Sequence, residues 1–283
     1  MEALENIKNI KIYDTTFEHL TEVMNSYKKY MAFLDELSLK ELAIILQTLR
    51  KEELINNQET EYESPLLMEL ELNMERKNSI GMLSDIINSE EPLTLEDIKN
   101  IHQRLLKGTG DDIPQNYPYR TSEVRVSEII DGKEVISYFP PIGKEIMYYM
   151  QYILDYLNND SNLQIETVFI KPMIAHAYIA LLQPFCNGNT RLARLVEYGK
   201  IFDLTNKYFK KNYPNPILYL SKNYLLTRGN YRNKIKNIAI LHNDESWNSW
   251  FDYNLNRIED QLYYLNSNLS QYQQRHKIRK FLD

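Results

Sequence analysis

The sequence predicts an all-α protein that carries one β-hairpin. Three observations predict it. Apolar residues recur at helical spacing over most of the 283 residues. Residues 167–182 are apolar nearly all round, as a helix at the centre of a core must be. One segment breaks the helical pattern: two β-prone runs flank Asp131-Gly132, a strong hairpin signal.

The elements follow in order. Residues 18–57 read as two helices, with Phe33, Leu34, Leu37, Leu42, Ile45 and Leu49 turned inward. Pro65 opens another helix, running through the 70s and 80s. Thr94-Leu95-Glu96-Asp97 is a capping start. Leu95, Ile98, Ile101 and Leu105 then keep helical spacing until Gly108 and Gly110 end the run. In the hairpin, Val124, Val126, Ile129 and Ile130 precede the turn, and Val135, Ile136, Tyr138 and Phe139 follow it. Pro140-Pro141 stops it. Two strands alone cannot make a sheet core, so the hairpin is expected at an edge, over the site. An amphipathic helix follows, with Ile146, Met150, Ile153, Leu154 and Leu157 on one face. The central helix 167–182 then delivers the chain to Gln183. Leu192, Leu195 and Val196 anchor the helix that leaves, and 217–227, 231–240 and 247–280 read as helical.

With 43% hydrophobic and 25% charged residues, the chain can bury a sizeable core. Eight glycines and ten prolines argue against an all-turn or disordered protein. The net charge of −6 argues against nucleic acid as a partner. Cys186 is the single cysteine, which excludes an intrachain disulfide framework and fits a reducing, cytoplasmic location. The longest apolar run, Met173 to Leu182, is broken by His176 and too short to span a bilayer, so no membrane is expected. The acidic start Met1-Glu2-Ala3-Leu4-Glu5-Asn6 lacks the basic and apolar regions of a signal peptide.

The functional signal lies in Gln183-Pro184-Phe185-Cys186-Asn187-Gly188-Asn189-Thr190, followed by a helical run with Arg191 and Arg194. A loop of small polar residues feeding a helix start aims backbone N–H groups, and the positive end of the helix dipole, at one point. Gly188 suits a close backbone approach to phosphate. Asn189 can offer an amide donor. Arg191 and Arg194, at i and i+3, share a helix face and can neutralise phosphates. The alternative is that both arginines sit in surface salt bridges. His176 reads as a satisfied core histidine, Cys186 as a packing residue, and His102, Trp247 and Trp250 as structural.

These residues resemble the Fic family, whose signature runs H-x-F-x-[D/E]-G-N-[G/K]-R-x-x-R. Phe185, Gly188, Asn189, Arg191 and Arg194 match. Gln183 stands where the family has its catalytic histidine, Asn187 where it has an acid, and Thr190 where it usually has glycine. Weaker likenesses keep the family's order: Pro92-Leu93-Thr94 with Ile101-His102 and Leu105-Leu106, Pro118-Tyr119-Arg120, Ala175-His176-Ala177, Tyr219-Leu220-Ser221 with Arg228 and Tyr231, and Trp247 to Phe251. The resemblance implies a Fic-type helical core with a hairpin flap over the active-site loop. It implies transfer of the AMP of ATP, with Mg²⁺, to a hydroxyl of a target protein.

On that resemblance, residues 1–75 form an N-terminal helical segment that is regulatory or dimerising, 76–245 the core, and 246–283 a C-terminal helix packed on it. A homodimer is one assembly to expect. Asn187, Gly188, Asn189, Thr190, Arg191, Arg194 and Tyr231 are assigned to the nucleotide, and Val124, Val126, Val135 and Ile136 to a flap that docks the target. Asn187 offers a metal one neutral oxygen, where Mg²⁺ prefers carboxylate and phosphate oxygens. Many relatives carry an inhibitory glutamate; Glu59, and Glu52 after Thr48, stand at comparable places, and the alternative is solvated helix charge. Histidine serves as a base because it titrates near neutrality, which a glutamine amide cannot do. Losing a general base costs ~10²- to 10⁴-fold, so Gln183 implies weak or absent transfer, while nucleotide binding need not be lost. Two other readings stay open: a non-catalytic nucleotide-binding or interaction module, and a regulatory protein that binds no nucleotide.

Overall fold

The computed structural model describes residues 2–38, 40–42, 91–109, 119–159, 163–211, 224 and 227–280. The expected helices after residue 43 and at 217–227, with Glu52 and Glu59, lie largely or wholly outside these residues.

A short helix α1 (Glu2–Glu5) and a 3₁₀ turn (Ile7–Asn9) lead into α2 (Asp14–Asp35). The capping start predicted at Thr94 is present: the Thr94 hydroxyl accepts from Asp97 N–H, and the Asp97 carboxylate accepts from Thr94 N–H at 2.8 Å. This box opens α3 (Leu95–Leu106). The hairpin follows as β1 (Val126–Ile130) and β2 (Lys133–Tyr138), antiparallel, with Ile130 opposite Lys133 and a register shift between Val126 and Ser127. Asp131 and Gly132 have φ of 51° and 73°, the left-handed pair that a two-residue turn needs. Val124, expected in the first strand, precedes it: the pairing starts at Val126.

Beyond the hairpin come α4 (Lys144–Asn158), α5 (Ile165–Leu182), α6 (Asn189–Phe209), α7 (Arg228–Leu241) and α8 (Asp244–Lys280). Helices α5 and α6 pack on each other along their length; α2, α4, α7 and α8 surround α5. Every residue of α5 from Val168 to Leu182 is buried. The expectation that no run approached membrane-spanning length needs correction. Helix α5 has 18 residues at mean hydropathy 1.4, enough to cross a bilayer by length and composition, but 78% of it is buried inside the protein. The error came from stopping the run at Met173: Pro172 and Lys171 sit within the helix without ending it. Trp250 ties α8 to α5, its indole Nε1–H donating to Met173 O at 2.9 Å.

Candidate nucleotide site

The turn from α5 to α6 is built by a short set of hydrogen bonds. Gln183 closes α5 with φ 50° and ψ 56°, a left-handed residue that is not glycine. Its side chain is held at both ends: Nε2 donates to Ala180 O at 2.9 Å, and Oε1 accepts from Asn189 Nδ2 at 3.0 Å. Asn189 also takes the Phe185 N–H on its Oδ1 at 2.9 Å and donates to Phe185 O at 2.8 Å. The Asn189 amide therefore fastens the turn to itself, where the sequence suggested a donor offered outward. Phe185 is buried and stacks on His102, ring centroids 3.8 Å apart. His102 Nε2 lies 2.7 Å from Asn187 O, so it carries the proton and donates.

Gly188 caps α6 with φ 72°. A Cβ there would lie 3.2 Å from both His102 Nε2 and Leu106 Cδ2. Backbone conformation and space both favour glycine. Cys186 is exposed, which corrects the packing role expected of it: Phe185 is the residue that enters the core, and its neighbour faces out.

Above the turn lies a cleft of about 550 Å³. Gln183 and Thr190 form one wall; Val126, Ser127, Ser137 and Tyr138 of the hairpin form another. Tyr231, Arg232 and Lys236 of α7 complete it. The hairpin thus stands over the turn, as expected. Helix α6 opens here with no acidic residue in its first turn, and the cleft lining carries two basic side chains and no carboxylate among the described residues. The dipole of α6 makes this acid-free end electropositive and suited to an anion.

Arg191 and Arg194 are 5% and 0% exposed and are not part of this lining. They lie in the first two turns of α6, inside the protein. Asn187 is exposed and also outside the lining. Tyr231 is a wall residue whose hydroxyl turns to the core, 2.8 Å from His176 Nε2. His176 Nδ1 lies 2.7 Å from Glu197 Oε2, which also receives the Tyr224 hydroxyl at 2.9 Å. The ring thus bridges the Glu197 carboxylate and the Tyr231 hydroxyl through its two nitrogens. His176 is the satisfied core histidine the sequence suggested. Burial first, then the Glu197 charge, pushes the Tyr224 hydroxyl well above its ordinary pKa.

The role of Arg120 was not apparent from the sequence. Its guanidinium, buried, donates Nε to Gln183 O at 2.6 Å, Nη2 to Leu182 O at 3.2 Å and Pro141 O at 2.6 Å, and Nη1 to Ser122 O at 2.8 Å. Burial lowers its pKa from the ordinary arginine value.

Comparison with known proteins relates the chain to others by sequence and by fold. The sequence model of the Fic/DOC family matches residues 92–198. The protein adenylyltransferase fic-1 of Caenorhabditis elegans is 31% identical over 107 residues, 38% of this chain and 18% of the relative, so the match spans less than a fifth of that protein's length. Among solved structures, C. elegans Fic-1 (residues 134–508) superposes with TM-score 0.67 at 16% identity, covering 91% of this chain and 74% of the other. A Fic family protein from Desulfovibrio desulfuricans G20 gives 0.63 at 14% identity, covering 91% and 76%. The superpositions establish the fold: a helical core with a single hairpin over the α5–α6 turn, as in Fic family proteins, with residues 92–198 matching that family's sequence model.

Proposed function

We propose that this chain is a protein adenylyltransferase scaffold: it binds MgATP in the cleft and presents the α-phosphate to a hydroxyl of a target protein. The observation that carries the reading is the acid-free N-terminus of α6, opened by Gly188, facing a cleft large enough for a nucleotide. The C. elegans relative's name supports AMP transfer to protein as the family-level reaction.

In this reading the triphosphate lies against the N-terminus of α6, beside Thr190. Arg232 and Lys236 face it across the cleft. Arg191 and Arg194 add positive charge from within α6, favouring an anion at the turn. Asn187 is the metal-ligand candidate the sequence suggests at the turn, a neutral oxygen. Mg²⁺ is therefore proposed to enter on the nucleotide's own phosphates. When bound, it supplies charge neutralisation of the leaving pyrophosphate. The flap, with Val135 and Ile136 exposed, offers the target an apolar edge.

Gln183 occupies the wall where a base is needed and cannot take the acceptor proton. Transfer by the unaltered chain is expected to be weak. The decisive experiment is AMP transfer from labelled ATP in a lysate by the unaltered chain and by Gln183→His. Labelling that rises by ~10²-fold or more in the variant supports the reading. No labelling by Gln183→His with ATP or another nucleotide removes transfer.

One observation favours a second reading, a module that binds nucleotide without transferring it. Both ends of the Gln183 amide are engaged in holding the turn. That reading predicts MgATP binding, and a partner complex that persists in Gln183→His without modification.

A further inference from the structure

We infer that Arg120 is a positioning residue that couples the nucleotide turn to the hairpin, so that nucleotide in the cleft fixes the flap against which an acceptor would lie. The inference rests on the nucleotide reading above and deepens it.

Strand β2 meets the body at α7, and most of its length is exposed. The first four residues of β2 are exposed, and only Ser137 and Tyr138 at its foot are half-buried. A two-stranded sheet is marginal in water by itself, so its orientation is set where it joins the body. Both joints meet at one side chain. Ser122 O lies before β1 and Pro141 O after β2, and Arg120 donates to both. The same guanidinium donates to Leu182 O and Gln183 O, the two residues that carry α5 into the turn.

The main chain of Arg120 repeats the connection. Its N–H donates to Pro184 O at 3.0 Å, and its carbonyl accepts from Gly143 N–H at 3.2 Å, just before α4. Arg120 thus ties three consecutive residues of the turn to the two feet of the flap. The planar guanidinium fork suits several fixed carbonyls at once, which a lysine ammonium on a flexible stem cannot match. Any shift of the turn on binding phosphate is transmitted to the flap through these bonds, and by reciprocity a fixed flap favours the nucleotide-bound turn.

The test is hydrogen–deuterium exchange of the full chain, with and without saturating MgATP, alongside calorimetry. In the unaltered chain, MgATP should slow exchange of amides 126–138 by about fivefold or more. In Arg120→Lys, MgATP should still give a binding isotherm, but the protection of 126–138 should be lost. Equal protection in that variant overturns the inference, because nucleotide touching Val126, Ser127 and Tyr138 directly would then account for it. Unchanged exchange in an unaltered chain that binds MgATP also overturns it, while the nucleotide reading stands. No binding to the unaltered chain removes both. Should Arg120→Lys fail to give native circular dichroism, the unaltered-chain comparison alone still refutes coupling if 126–138 gains no protection.

Discussion

Asn189 Nδ2 donates to Gln183 Oε1 at 3.0 Å, joining the first residue of α6 to the residue that closes α5. With the two bonds from Asn189 to Phe185, this contact decides the shape of the turn. Asn189→Ala should leave the Phe185 N–H and C=O without that partner in a buried setting. The expected cost is about 1–3 kcal/mol, read as a lower denaturation midpoint. MgATP affinity should fall with it, because the amides at the start of α6 are no longer held in place.

Gly188→Ala combines two penalties. A side chain at φ 72° is strained by ~1–2 kcal/mol. Its Cβ would also crowd His102 and Leu106 at 3.2 Å. A thermal melt should show a fall of roughly 2–4 °C for each kcal/mol lost. An unchanged melting temperature would mean that the turn tolerates another backbone path.

His176→Ala should be among the costliest single changes. It opens a cavity beside Trp250, whose ring centroid lies 5.3 Å away. It also removes a donor from the buried Glu197 carboxylate and a partner from the Tyr231 hydroxyl. A loss of about 3 kcal/mol or more is expected from urea unfolding. Because Tyr231 lines the cleft, its ring should also loosen there, and nucleotide affinity should weaken.

The tyrosines predict an alkaline limit to stability. Burial pushes the Tyr156 hydroxyl up to about 12; burial, then the hydrogen bond to Glu5, does the same for Tyr149. Burial raises Tyr119, Tyr138 and Tyr178 further. A raised folded pKa contributes stability that is whole below the unfolded value of ~10 and is lost as pH climbs through the folded value. Stability should hold up to about pH 10 and fall above it. Phenolate absorbance and the helical circular dichroism signal should then change together. Ionisation of these residues well before any loss of helix would contradict their burial.

Local chemistry was legible in the sequence, and long-range geometry was not. The Asp131-Gly132 turn, the Thr94 capping box and the apolar α5 each follow from residues adjacent in the chain, and each is present. Gly188 was legible as the place of close approach. Arg120 was legible only as part of a family turn, because its acceptors at Pro141, Leu182 and Gln183 lie 21 to 63 residues away. Tyr231 was placed at the site, but the partner of its hydroxyl, 55 residues away, was not. The Arg191/Arg194 spacing put both on one helix face but could not say which face opens on the cleft. Helix α6 is buried all round from Arg191 to Phe202, and neither arginine is among the residues lining the cleft. The left-handed backbone of Gln183 had no sequence signal, since glutamine does not favour that conformation.

The claim on which the rest depends is that the start of α6 receives the phosphates of a nucleotide. Thr190→Asp tests it most directly, read by calorimetric titration with MgATP beside the unaltered chain. An acid in the first turn favours the helix dipole, so the fold should be kept, while its charge occupies the ground the phosphates need. The account predicts a one-to-one isotherm for the unaltered chain and at least a roughly tenfold weaker one for Thr190→Asp, a difference of ~1.4 kcal/mol. Equal affinity in the two proteins, or no binding to either, would contradict it.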